Sequence, residues 1–237
     1  MTGPGEQRTE TAGPARTVSG RDAKSTAPLR CAAFAALSEL VASPHEIDSR
    51  PSLREKIGTF AGLPYGAALD ELLAGFVDTD LDKLKKEYSG LFEVGSGGPP
   101  VPIREDLQTG QRAGTREELV RFYNFFHYKL SEKFAWAPDH LSVQLEFMHF
   151  LCFSEATAET EVLSYQLAQA DFTERHLVKW VPTLIEGVEA ISSGSLYARV
   201  INTLGDFLAA DFTWQQSTIT VMEKDHGPAD AGFRPGG

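Results

Sequence analysis

The sequence predicts an all-α fold: a single-domain bundle of about nine to eleven helices with one long Gly/Pro-rich loop. Three observations predict it. Apolar residues recur at helical spacing through most of the chain. No alternating run of β-branched residues between turn signals stands out. The segment from Glu93 to Ala113 holds Gly95, Gly97, Gly98, Pro99, Pro100, Pro102 and Gly110, with Gly114 just beyond. A stretch of that length without helical period is either a functional loop or a disordered one.

The elements follow in order. Residues 1–27 are rich in Gly, Thr, Ala, Ser and Pro and bury too little apolar surface to offset chain entropy, so they read as a disordered tail. Pro28 suits the first turn of an opening helix, in which Phe34, Leu37, Leu40 and Val41 share a face. Leu69, Leu72, Leu73 and Phe76 form the next helical set. Leu81, Leu84, Tyr88 and Leu91 continue the pattern, with Thr79 as the cap. Thr115 and Glu118 make a capping box, opening a helix that buries Leu119, Phe122, Phe126 and Leu130. Pro138 starts a helix with Leu141, Leu145, Met148 and Cys152 inward. Phe147, Phe150 and Leu151 make that helix apolar nearly all round, which predicts a central position. Further helices are expected over 157–175, 178–191 and 195–213, with Pro182 beginning or kinking the second. Residues 224–237, ending Pro235-Gly236-Gly237, read as a second disordered tail and leave 28–223 as the helical domain.

Composition narrows the function. The 237 residues carry a formal charge of −11, which repels nucleic-acid phosphates and favours a basic partner segment. Cys31 and Cys152 form no CxxC pair and sit among apolar neighbours, as reduced core thiols do. No stretch of about 18 apolar residues is present to make a transmembrane helix, and the N-terminus lacks the apolar run of a secretory signal. The expected location is the cytoplasm.

Catalytic and metal motifs are weak. Val94-Gly95-Ser96-Gly97-Gly98 lacks the Gly-Lys-Ser/Thr ending of a phosphate loop and follows a helix rather than a strand, so it reads as a turn. Glu146 and His149 form one helical E-x-x-H pair, whereas a di-iron bundle needs two such pairs and two further Glu. The other match, Glu223 with His226, falls at the C-terminal end. No nucleophile elbow occurs and the six histidines lack ligand spacing. No enzyme activity, metal or cofactor is therefore expected.

Two segments together resemble the TorD/DmsD/NarJ family of redox-enzyme maturation chaperones. Glu87-Tyr88-Ser89-Gly90-Leu91-Phe92, followed by Pro99-Pro100-Val101-Pro102, is similar to the family's Tyr-x-x-Leu-Phe helix end and Gly-Pro loop. Pro138-Asp139-His140 through Leu145-Glu146-Phe147-Met148 resembles its Pro-Asp-His helix. Arg175-His176-Leu177-Val178-Lys179-Trp180-Val181-Pro182, with the later Leu196-Tyr197, adds a third similar segment. The resemblance spans residues 30–213. The long loop and Leu-Glu-Phe-Met most resemble the branch serving type II DMSO-reductase-family enzymes. One departure stands out: where the family commonly has a Tyr-Glu-Ser-like triplet, this chain reads Ile103-Arg104-Glu105-Asp106.

The resemblance implies binding of the twin-arginine signal peptide, the apo-form of a molybdopterin-containing subunit, or both, until the cofactor is inserted. It points to a peptide site of Tyr88, Leu91, Phe92, Pro99, Pro100, Pro102, Arg104, Glu105, Asp106, Asp139 and His140. Apolar walls edged by Glu105, Asp106 and Asp139 would suit a basic start followed by an apolar stretch. Asp139→Ala or His140→Ala is then expected to weaken peptide binding while the fold survives. Trp180 reads as a packing anchor at a helix junction. The alternative reading is a guanine-nucleotide-binding switch or enzyme on the same helical fold. A monomer and a domain-swapped dimer both remain open.

Overall fold

The computed structural model describes residues 15–93, 95, 97–110, 114–131 and 137–221. Among them are ten α-helices and one two-stranded sheet. The apolar-all-round helix is α7 (Leu141–Thr157), and it is central as expected: Leu145, Phe147, Met148, Leu151 and Cys152 are all fully buried. Helix α1 (Ala23–Leu40) packs along it with Phe34, Leu37 and Leu40 inward, and α8 (Val162–Phe172) packs on it as well. Helices α2 (Arg50–Lys56) and α3 (Gly66–Val77) pack together. Helix α4 (Leu81–Phe92) packs on α9 (Val181–Ser192), which pairs with the long α10 (Leu196–Thr218). Pro182 lies in the first turn of α9, where its missing N–H costs nothing. Among the described residues no helix is long and apolar enough to cross a membrane.

Several local expectations are corrected. The chain is ordered well before residue 28: β1 (Arg16–Val18) pairs antiparallel with β2 (Ile219–Val221), and α1 starts at Ala23, capped by Asp22. Charged anchors hold this segment. Arg16 donates to both oxygens of Asp171 at 2.6 and 2.8 Å, and Arg21 is buried against Glu155. Pro28 consequently lies inside α1 rather than at its start. The other expected tail, 224–237, and the first fourteen residues lie outside the described residues.

The α4 cap is Asp80, whose carboxylate accepts from the N–H groups of Asp82 and Lys83. Thr79 instead turns its hydroxyl back to the Gly75 carbonyl at the end of α3. Helix α6 (Gly114–Phe125) begins before Thr115, so Thr115 lies in the first turn, and Glu118 faces Arg175 instead of closing a capping box. It also ends before Leu130, and His127 follows in the left-handed region at φ 56°. The expected helix over 157–175 starts at Val162 and runs into a π-helical turn, Thr173–Leu177. The long loop is not wholly irregular either. It contains the short helix α5 (Glu105–Thr109), stopped by Gly110 at φ 69°. Gly95 and Gly98 exchange two backbone hydrogen bonds of 3.2 Å, a tight turn.

Beneath the β1 strap runs a buried ion network. Arg21 donates to both oxygens of Glu155 and to Gln169, and Arg30 donates to both oxygens of Asp211 and to Gln169. Gln166 and Gln169 donate to Glu155, and Gln215 donates to Asp211. Both guanidinium groups lie over the Trp214 ring, at 5.1 and 4.9 Å from its centre.

Candidate peptide-binding cleft

Three pieces of chain meet at the cleft: the end of α4, the Gly/Pro loop and the start of α7. Backbone bonds set their arrangement. Val101 N–H donates to the Leu91 carbonyl, which pins the loop to the end of α4. Leu141 N–H donates to Ile103 O and Glu105 N–H to Asp139 O, so the loop crosses the start of α7 as an antiparallel bridge. Gly187 in α9 leaves room for the loop to dock, since a Cβ there would stand 3.0 Å from Val101 Cγ1.

The resulting cleft has a volume of about 260 Å³. Tyr88, Phe92, Pro99, Ile103, Leu107 and Ala137 supply apolar wall, while Arg104, His140, Ser43, Ser142, Glu46 and Glu93 supply polar groups. Tyr88 and Phe92 are one helical turn apart and pack edge-on against each other and against Tyr197. Both are largely buried, so they present ring edges rather than whole faces.

His140 caps α7. Its Nδ1 accepts from Ser142 N–H at 3.2 Å, which places the ring proton on Nε2, the atom 3.3 Å from Tyr88 Oη. Burial pushes its pKa down to about 4, outweighing the pull of Asp139. The ring is therefore a neutral donor at physiological pH. An unfolded chain takes up this proton near the ordinary value of about 6.5, so acidification below that point favours unfolding, and the penalty stops growing near pH 4. In a proton-NMR titration of the full chain, the His140 ring signals should stay constant from pH 8 down to about 5. A midpoint near the ordinary value would contradict the neutral Tyr88–His140 pair at the cleft wall.

The acidic residues behave differently from expectation. Asp139 is fully buried beneath the cleft, where it accepts from Arg104 at 2.9 and 3.2 Å and from the Asp106 N–H, with Arg116 3.4 Å away. Burial raises the Asp139 pKa, but hydrogen bonds with Asp106 and Arg104 outweigh it and hold the carboxylate below its ordinary value. Asp106 pairs with Arg104 at 3.2 Å, and burial beside Asp139 pushes its pKa up to about 6. Glu105 turns inward to Gln144 and to His176 Nδ1. Trp180 Nε1–H donates to the His176 carbonyl and reaches Gln144 Oε1. These three acids brace the floor; they do not edge the opening.

The edge is supplied by Glu46 and Glu93. Glu93 accepts from Ser89 Oγ at 2.5 Å and from Ser43 Oγ at 3.3 Å, and its side chain is 40% exposed. Of the expected site residues, Tyr88, Phe92, Pro99, Arg104 and His140 line the cleft together. Leu91 is core. Pro100 is exposed and Pro102 half-buried, and neither lines the cleft. Glu46 lies outside every motif and Glu93 only opens the Gly/Pro loop, so sequence pattern marks neither as rim.

The remaining candidate chemistry does not converge on a site. Glu146 is exposed, while His149 Nδ1 bonds the Cys31 carbonyl at 3.0 Å. Glu223 and His226 lie outside the described residues. No group of three potential metal ligands occurs among the described residues.

Comparison with known proteins places this geometry in context. A family model described as the nitrate reductase delta subunit matches residues 62–186. The chain is 36% identical over 141 residues to the chlorate reductase assembly chaperone protein of Ideonella dechloratans, covering 56% of this chain and 72% of that one. It is also 36% identical over 143 residues to the selenate reductase assembly chaperone protein of Thauera selenatis, covering 57% and 73%. Its fold resembles that of a redox enzyme maturation protein from Archaeoglobus fulgidus, with a TM-score of 0.51 and 21% identity over 76% of this chain and 93% of that one.

Proposed function

The chain belongs to the nitrate reductase delta subunit family, within the TorD/DmsD/NarJ group of redox-enzyme maturation chaperones, and from that premise we propose that it works in the cytoplasm by gripping a molybdoenzyme catalytic subunit. It holds the apo-form, through its twin-arginine signal peptide, until the molybdopterin cofactor is inserted. The observation that carries this reading is the cleft itself. Apolar ring edges from Tyr88 and Phe92 stand beside the carboxylates of Glu46 and Glu93. A segment with a basic start and an apolar continuation matches that pairing of surfaces. Relatives named for chlorate and selenate reductases support the narrower reading that the client is a type II DMSO-reductase-family enzyme.

The magnitudes agree with reversible binding. Burying about 400 Å² of apolar peptide surface at about 25 cal/mol/Å² contributes roughly 10 kcal/mol gross. Association and peptide ordering offset much of this, leaving an affinity on the order of micromolar. The carboxylates of Glu46 and Glu93 at the rim disfavour the phosphates of a guanine nucleotide.

Affinity capture of the full chain from its native host tests the proposal. The expected partner is a cofactor-free molybdenum-enzyme catalytic subunit, lost when Glu46→Lys and Glu93→Lys are combined. Recovery of only cofactor-loaded, finished enzyme would overturn it.

A further inference from the structure

A second concave surface shares no residue with the cleft. It lies between α6 and α8 and has a volume of about 460 Å³. Phe122, Phe125 and Phe126 form one wall, and Leu167 and Ala168 the other. Phe125 is 73% exposed, the largest exposure among the large apolar side chains of the described residues. Its ring lies 4.9 Å from that of the half-buried Phe126, beside the half-buried Phe122, so the groove has a contiguous aromatic wall rather than one isolated exposed ring, the kind of surface that interaction sites use.

The charges around this groove differ in kind from those of the cleft. Asp171 is neutralised by two hydrogen bonds from Arg16, and Glu118 by Arg175 at 3.3 Å. Arg121 is exposed and makes no hydrogen bond or ion pair among the described residues. On a chain of net charge −11, the uncompensated charge at this groove is thus a cation. Below the floor, the Phe122 ring packs edge-on against His176, whose buried Nε2 has no hydrogen-bond partner and faces Glu118 at 3.9 Å.

We propose that the α6–α8 groove is a second polypeptide-docking surface, which takes an amphipathic helix whose apolar face covers Phe125 and Phe126 and whose flanking carboxylate pairs with Arg121. Two nearby helices with an aromatic floor form the usual receptor for such a helix. Charge sorts the two sites. A basic apolar segment is drawn to Glu46 and Glu93 and repelled by Arg121, and an acidic one the reverse. This inference stands on the groove alone and does not rest on the signal-peptide reading.

Two labelled synthetic amphipathic helices with the same apolar face, one flanked by glutamates and the other by lysines, provide the test by fluorescence anisotropy. Counting only the binding that Phe125→Ser removes, which excludes any lysine helix held in the Glu46/Glu93 cleft, the full native chain should bind the glutamate helix about tenfold more tightly, a preference of about 1.4 kcal/mol. Arg121→Glu should reverse the preference. Phe125→Ser should abolish glutamate-helix binding without changing the melting curve, because that side chain is mostly in water, and His140→Ala should leave that binding intact. Equal Phe125-dependent affinity for both helices, a Phe125-dependent preference for lysine, or indifference of glutamate-helix binding to Phe125→Ser would overturn the inference. So would a Phe125-dependent dimer in sedimentation that binds neither helix.

Discussion

Glu155→Ala is expected to destabilise the fold by about 3–5 kcal/mol, the cost of leaving buried cations without their partner. For a domain of this size that corresponds to a fall in Tm of roughly 6–20 °C. Glu155 is fully buried and receives hydrogen bonds from Arg21, Gln166 and Gln169. Alanine removes all of these acceptors at once. Arg21 already has one buried nitrogen without a hydrogen bond, and burial beside Arg30 lowers its pKa, so it tolerates no further loss. Urea denaturation of the native and variant chains gives the result directly. Glu155→Gln, which keeps an acceptor, should lose less. A Glu155→Ala chain as stable as the native one would show that the network adds nothing to folding.

His140→Ala is expected to weaken signal-peptide binding about tenfold, or 1.4 kcal/mol, with only the loss of a helix cap, about 1 kcal/mol, in stability. Asp139→Ala should behave differently. It strips Arg104 of two hydrogen bonds and the Asp106 N–H of its acceptor, so stability should fall by about 1.5–3 kcal/mol, the range for hydrogen bonds to a charged group. Solvent reaches Arg104 and Arg116 in part, which keeps the cost below that of Glu155→Ala. Sequence alone predicts that the fold survives both substitutions; the geometry predicts a larger stability cost for Asp139→Ala than for His140→Ala. Urea midpoints alongside calorimetric titration separate the two effects. Equal stability loss in both variants would contradict the division between cap and brace.

Helical period was enough to locate most of the helices and the central place of α7, because burial of a continuous apolar face is encoded locally. The meeting of Tyr88, Phe92, Arg104 and His140 was legible too, though from motif order rather than from period. What stayed hidden depends on distant partners. Arg21 and Glu155 are 134 residues apart, and Arg30 and Asp211 are 181 apart, so nothing in residues 15–27 taken alone signals order. Side-chain direction was hidden for the same reason. Glu105, Asp106 and Asp139 suggest an acidic rim in sequence, yet Arg104, Arg116 and His176 draw them inward. Asp80 displaced Thr79 as a cap because its carboxylate reaches two N–H groups, while the threonine hydroxyl was already committed to Gly75.

Calorimetric titration of the full chain with the signal peptide of the captured catalytic subunit bears most directly on the cleft. The expected result is binding on the order of micromolar, weakened at least about tenfold both by Glu46→Lys with Glu93→Lys and by replacing the peptide's paired arginines with glutamine. Binding that ignores all of these changes, or no binding at all, would contradict the assignment of this cleft to a basic, apolar polypeptide.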